Sequence, residues 1–422
     1  MSPPILSPRL LNALAALLAA TAAVAADPTP AGSTVPSDPV FSALMTDATT
    51  ASGRIRQLGP DGALTLVVEG GNERTIPLGK LVKLTREGTA SPSAVEGPFA
   101  GRREGSTVLF PDGDRLRAAV GSSGEATLEV QSFALGDVKV PTNRMLGLVL
   151  APPSDDEALE ALLLKIREEP RTSEVLWLTN GDRLSGGFLG LGPQKVAFQP
   201  ETGKVELERA GVVALGFEPA LVEYPRPKGT FLELTLADGS RLGASDARIE
   251  RGNLVATARL GATIKVPIAE LSRVHVRSDS VSYLSDRTDA VAVYEPYVGP
   301  SRPYRRDANV EGRPIHLSGQ TFDHGLGTQS RTLLAYKLRP GDRRFQATVG
   351  LDDRAGPLGN VVFKVLVNRK DAFVSPPMAA RGTPVAIDVD VAGATSLILI
   401  TEFGERGEVR DLADWAEARL VR

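Results

Sequence analysis

The chain has 422 residues and carries 48 Lys and Arg against 51 Asp and Glu, a net charge of -3, so it is neither a basic nucleic-acid binder nor a polyanion. It contains no cysteine, which excludes a disulfide framework, thiolate metal ligation and thiol catalysis. Stability must come from apolar cores, and imidazole chemistry is confined to His275, His316 and His324, which nothing in the sequence brings together.

Residues 1–26 read as a secretory signal peptide. Arg9 precedes the run Leu10 to Val24, which is small and apolar apart from Asn12 and Thr21, and Ala23-Val24-Ala25 has the form of a cleavage site. The run is shorter than the roughly 20 residues of a membrane span; a retained anchor is the alternative. The chain is therefore expected to be exported, periplasmic or extracellular, with no membrane span after cleavage. Residues 27–42, punctuated by Pro28, Pro30, Pro36 and Pro39, read as a Pro/Ser/Thr-rich linker that tethers rather than folds.

Next comes internal repetition. Leu109-Phe-Pro-Asp-Gly-Asp-Arg-Leu116, Leu178-Thr-Asn-Gly-Asp-Arg-Leu184 and Leu236-Ala-Asp-Gly-Ser-Arg-Leu242 are versions of one phrase, a strand, a tight turn and a second strand. Asp-Gly and Asn-Gly supply the positive φ values of a two-residue hairpin. A second phrase follows, as Ile76-Pro77 with Leu81 and Leu84, Val140-Pro141 with Leu146 and Val149, and Val266-Pro267 with Leu271 and Val274; each predicts a closing strand. With a looser copy from about Gly53 to Arg86, turning at Pro60-Asp61-Gly62, four β units are expected, two in residues 43–151 and two in 173–280. They resemble Sm-like or SH3-like small barrels. The RNA-binding version of that resemblance is set aside, because the units are not strongly basic and lack the aromatic-plus-basic strands that stack bases.

Residues 152–172 hold one helix. Ser154-Asp-Asp-Glu157 forms a capping-box pattern, Leu159, Leu162, Leu163 and Ile166 recur at helical spacing, and Pro170 ends the run. Such a stripe predicts a connector packed on a neighbouring unit.

From Tyr283 the composition changes. Tyr283, Tyr294, Tyr297 and Tyr304 are interleaved with Pro296, Pro300 and Pro303 and with Arg302, Arg305 and Arg306. Tyr rings can lie on sugar faces and Arg can fork onto hydroxyl or carboxylate groups, whereas Tyr294 and Tyr297 are expected to pack. Thr332–Leu338, Arg344–Leu351, Val361–Asn368, Val385–Val391 and Ser396–Thr401 then read as five strands of a sandwich.

Within this region Thr321-Phe-Asp-His-Gly-Leu-Gly-Thr-Gln-Ser330, Phe345-Gln-Ala-Thr-Val-Gly-Leu-Asp-Asp353, Phe363-Lys-Val365 and Asp411-Leu-Ala-Asp-Trp415 stand in the order seen in the NPCBM family of carbohydrate-binding modules, which the segment resembles. The resemblance implies a galactose-binding-like jelly roll over residues 283–422. The expected fold class is thus mainly β, with tandem small barrel or sandwich units followed by a jelly-roll β-sandwich. It also implies carbohydrate-binding candidates at Tyr304, Arg306, His324, Gln329, Asp353, Asp414 and Trp415. Gln329 departs from the family's frequent His, so specificity could differ here. Gly325 and Gly327 are expected to supply backbone angles closed to other residues, Asp411 and Asp414 to orient backbone around Trp415, and Trp415, although a sugar-platform candidate, to belong to the core. Asp352 and Asp353 offer carboxylates to a calcium ion, the one cofactor the pattern suggests.

No nucleophile elbow, zinc helix or phosphate-binding loop occurs, and the EF-hand-like start at Asp388-Val-Asp390 fails because Leu399 stands where the closing Glu belongs. The expected function is an exported, non-catalytic glycan-binding protein whose partner is a polysaccharide or glycoconjugate and not a nucleic acid. The alternatives are a cell-envelope structural or interaction protein whose jelly roll binds no sugar, and a glycoside hydrolase, for which paired carboxylates are the minimum.

Overall fold

The computed structural model describes residues 38–59, 62–88, 105–124, 126–132, 134–297 and 302–422. The signal peptide, most of the linker and Pro60-Asp61 of the first hairpin lie outside the described residues. The linker is shorter than expected: the first strand, Val40–Met45, already buries Phe41.

Four units of five antiparallel strands follow one path. In the first, Val40–Met45, Thr50–Leu58, Ala63–Val68 and Glu73–Pro77 form a meander, a 3-10 turn at Leu78–Lys80 reverses the chain, and Leu81–Arg86 pairs back on the first strand with Ala43 opposite Leu84. The other units repeat this closure, pairing Val108 with Leu148, Leu176 with Leu215 and Leu234 with Val274. The third unit closes without the proline phrase, because Glu208 occupies the extended position before its 3-10 turn that Pro77, Pro141 and Pro267 fill elsewhere. Pairing the first strand with the fifth leaves few free edges and turns alternate side chains inward.

The hairpins differ from expectation in one respect. Leu178 and Asp182 bracket a three-residue loop, with the Leu178 amide donating to the Asp182 carbonyl and only Gly181 at positive φ; Leu236 to Ser240 repeats it around Gly239. This is a turn followed by a left-handed glycine rather than a two-residue hairpin. Asn180 and Asp238 act through their side chains, each accepting the amide two residues on, at 3.0 and 2.8 Å.

The units associate through their fifth strands, but not in sequence order. Val274 of unit 4 lies opposite Leu84 of unit 1, and Leu148 of unit 2 opposite Leu215 of unit 3. The helix Asp156–Glu168 buries Leu159, Leu163 and Ile166 against Val149, Val175, Trp177 and Ala214 at the joint of units 2 and 3. Its N-cap is Asp155 rather than Ser154: the Asp155 carboxylate accepts the Ala158 amide at 2.8 Å, a charged acceptor at the positive helix end. No helix among the described residues is long and apolar enough to cross a membrane.

The C-terminal region is a two-sheet β-sandwich. One sheet is built on Ala413–Val421, flanked by Arg344–Leu351 and Gly325–Thr328; the other on Ser396–Phe403, flanked by Thr332–Lys337 and Asn360–Val367. Trp415, Phe345, Phe363, Leu334, Tyr336 and Leu399 fill the space between them. The outer face of the first sheet is covered by the hairpin Ile315–Phe322 and by units 1 and 4. The second sheet keeps an outer apolar surface in which Val291 is 65% exposed.

Gly327 is required by close approach and not by its backbone angle. A Cβ there would lie 2.3 Å from the Ala308 carbonyl oxygen. Gly327→Ala must push the Ala308-Asn309 backbone away from the strand, and a loss of about 1–3 kcal/mol in urea unfolding is expected; an unchanged midpoint would refute this packing.

Candidate functional site

The residues singled out in the sequence fall into four places. Trp415 and Asp414 are inside the protein. Trp415 is 0% exposed, packs edge-on to Phe363 with ring centres 5.1 Å apart, and donates its indole N–H to Thr401 Oγ1 at 3.1 Å. It therefore offers no ring face to a ligand, and its candidacy as a sugar platform is corrected to a core role. Asp414 is equally buried, and burial beside Asp352 and Asp353 pushes its pKa well above the usual carboxylate range.

Asp352 and Asp353 brace the Ile315–Phe322 hairpin. Asp352 accepts the amides of His316 at 3.2 Å and Arg354 at 3.0 Å, and Asp353 accepts those of Ser318 and Gly319, both at 2.8 Å. Each of the four oxygens thus accepts one backbone amide, which fixes both carboxylates against the hairpin. Asp411 behaves similarly, accepting the Asn360 amide at 2.9 Å and the Ser330 hydroxyl.

Tyr304, Arg306 and His324 border a cleft of about 1480 Å3 enclosed by unit 2, the helix, unit 4 and the sandwich. At its floor the sandwich meets unit 4 through a buried charge network. His324, only 7% exposed, places Nε2 2.9 Å from Glu233 and Nδ1 3.5 Å from Asp307. Burial alone would lower its pKa, but Glu233 and Asp307 outweigh burial and raise it to about 10. Asp323 takes ion pairs from Arg241 and Arg273, and their charge holds it far below the usual carboxylate range despite its burial. Glu417 receives Lys83 at 3.2 Å and His275 at 3.3 Å. His275 and His324 thus stand with ring centres 5.0 Å apart, and together with Glu233 they offer ligand atoms within 4.8 Å of one another. No local pattern announces this convergence, because the two imidazoles come from different folding units. His324 is hidden from solvent by unit 4 and serves the joint.

Gln329 lies elsewhere, half-buried in the turn between the strands Gly325–Thr328 and Thr332–Lys337. Residues 295–297 and 329–331 leave the sheet side by side, with the Glu295 amide donating to the Arg331 carbonyl at 3.0 Å. Beyond them Tyr297 is 74% exposed, its ring edge-on to Phe403 at 5.9 Å and its amide fixed by Glu408 at 2.7 Å. Tyr294 is half-buried and its hydroxyl accepts the Tyr304 amide at 3.1 Å, whereas Tyr297, expected to pack, is exposed. Near this aromatic pair Arg331 bridges Glu295 at 2.9 Å and Glu402 at 3.3 Å, and Glu402 also faces Lys364 at 3.7 Å. The rim combines an exposed ring with directional donors and acceptors. Tyr297 was misjudged because nothing in a Pro-Tyr-Val phrase tells an outward ring from an inward one.

Residues 280–421 match the sequence profile of the NPCBM/NEW2 domain family. A curated relative, named "Putative endo-alpha-N-acetylgalactosaminidase" in Renibacterium salmoninarum, is 28% identical over 114 residues, which cover 27% of this chain and 8% of the relative's length. Among solved structures, the CBM51 module of Clostridium perfringens GH95 in complex with methyl-galactose is 25% identical, with 33% of this chain and 99% of that chain covered and a TM-score of 0.31. The CBM51-2 and INT domains of Clostridium perfringens ZmpB in complex with GlcNAc are 23% identical, with 42% and 40% covered and a TM-score of 0.31.

Proposed function

We propose that this is an exported glycan-binding protein that holds carbohydrate, without turning it over, at the open rim of its C-terminal sandwich. The observation that carries the site is Tyr297, a large ring left 74% exposed and steadied by Phe403 at the rim where Gln329 stands. In this reading the Tyr297 face stacks on the apolar face of a sugar, while the Gln329 amide and the groups around Arg331 and Glu402 sort its hydroxyls. The NPCBM/NEW2 match over the same residues supports the ligand class. Export rests on the leader that the first 26 residues resemble.

Calorimetric titration of the full chain with a bound glycan tests the site. Tyr297→Ala is expected to weaken binding by about tenfold or more, the scale of one lost aromatic stack, while the unfolding midpoint moves little because the ring is exposed. Full affinity in Tyr297→Ala would place the sugar elsewhere.

A further inference from the structure

The cleft between the β units and the sandwich carries a separate feature that its joint-forming ion pairs do not use. Two guanidinium groups converge over the Gly113 turn of unit 2: a Cβ at Gly113 would lie 3.5 Å from Arg167 Nη1 and 3.8 Å from Arg241 Nη1. Arg167 comes from the helix and Arg241 from unit 4. Arg241 commits its other arm to Asp323, and the carboxylates whose charge favours Arg167, those of Asp307, Glu168 and Glu160, are engaged by His324, Arg305 and Arg115, so Arg167 makes no ion pair of its own among the described residues. Like charges brought this close repel one another and are stabilised by an anion between them. Farther along the same cleft, Arg306 is exposed and borders the space together with Tyr304. At about 1480 Å3 the cleft exceeds the roughly 300–1000 Å3 that encloses a drug-sized molecule, so it fits an extended ligand better than a single ion.

We propose that this cleft is a second binding site, for an acidic oligosaccharide, with a carboxylate bridged between Arg167 and Arg241 and the sugar chain running toward Arg306 and Tyr304. The planar guanidinium fork matches a carboxylate in a way that it matches no neutral hydroxyl. The saccharide character of the ligand rests on the glycan reading; its negative charge rests on the cleft alone, and the site is independent of the Tyr297 rim.

Calorimetric titration of the full chain with trigalacturonate, neutral galactotriose and inorganic sulfate tests it. Trigalacturonate is expected to bind more tightly than either of the others, with an affinity that falls as salt is raised. Arg167→Ala should weaken it about tenfold, the scale of one charge-assisted hydrogen bond, and Arg306→Ala should weaken it less. Neither side chain belongs to the core, so an unchanged unfolding midpoint certifies both variants. Tyr297→Ala should leave trigalacturonate binding intact even where it removes a neutral glycan from the rim. No binding of trigalacturonate, equal affinity for galactotriose, sulfate binding as tight as the oligosaccharide, or an Arg167→Ala variant with wild-type affinity would each overturn the proposal.

Discussion

Asp323→Ala is expected to cost about 3–5 kcal/mol of stability, because it strands Arg241 and Arg273 in the joint between unit 4 and the sandwich without their shared carboxylate. The measurement is urea unfolding of wild type and variant. The cost reflects uncompensated buried charge and not the net contribution of the pairs, so replacing the cluster with well-packed apolar residues should be far milder. The same joint predicts a pH dependence. The folded-state pKa of His324 is raised to about 10 from an ordinary 6.5, so folding takes up a proton that the unfolded chain releases above 6.5. Its contribution is therefore complete below about pH 6.5 and is lost as pH climbs toward 10. Stability should decline across that window in wild type and decline less in His324→Gln. A wild-type curve that is flat or rises between these values would remove imidazolium from the joint.

Trp415→Ala should be comparably destructive, at about 3–5 kcal/mol, through a different cause. The ring is fully enclosed between Phe345 and Phe363, and its removal leaves a cavity in the centre of the sandwich, with the Thr401 hydroxyl keeping only its bond to Thr328. The contrast with Tyr297→Ala is diagnostic. One aromatic truncation should unfold the sandwich at much lower urea concentration and the other should hardly move the midpoint, since only the first ring is withdrawn from water.

Local pattern made much of this architecture readable. The strands predicted at Arg344–Leu351 and Ser396–Thr401 are present as Arg344–Leu351 and Ser396–Phe403, because alternating apolar residues between glycine and proline breaks specify a strand wherever it ends up. The third unit's closing strand was invisible to the proline phrase, yet the chain takes the same path there. What the sequence could not show is long-range partnership. Leu84 and Val274 pair across most of the β region, and no periodicity records that units 1 and 4 rather than 1 and 2 are neighbours. The candidate sites suffered for the same reason. His324 belongs to a motif that looks exposed when the sandwich is considered alone, but unit 4 covers it. Of the two motif residues proposed to meet sugar, His324 is sealed into the joint, whereas Gln329 stays half-buried and outside it.

Screening the full chain on a broad glycan array shows whether this protein holds sugar. Wild type is expected to retain a discrete set of glycans, with the neutral members of that set lost from Tyr297→Ala. A correctly folded protein that retains no glycan at all would contradict that expectation and would favour a sandwich that keeps this fold for contacts with other envelope components.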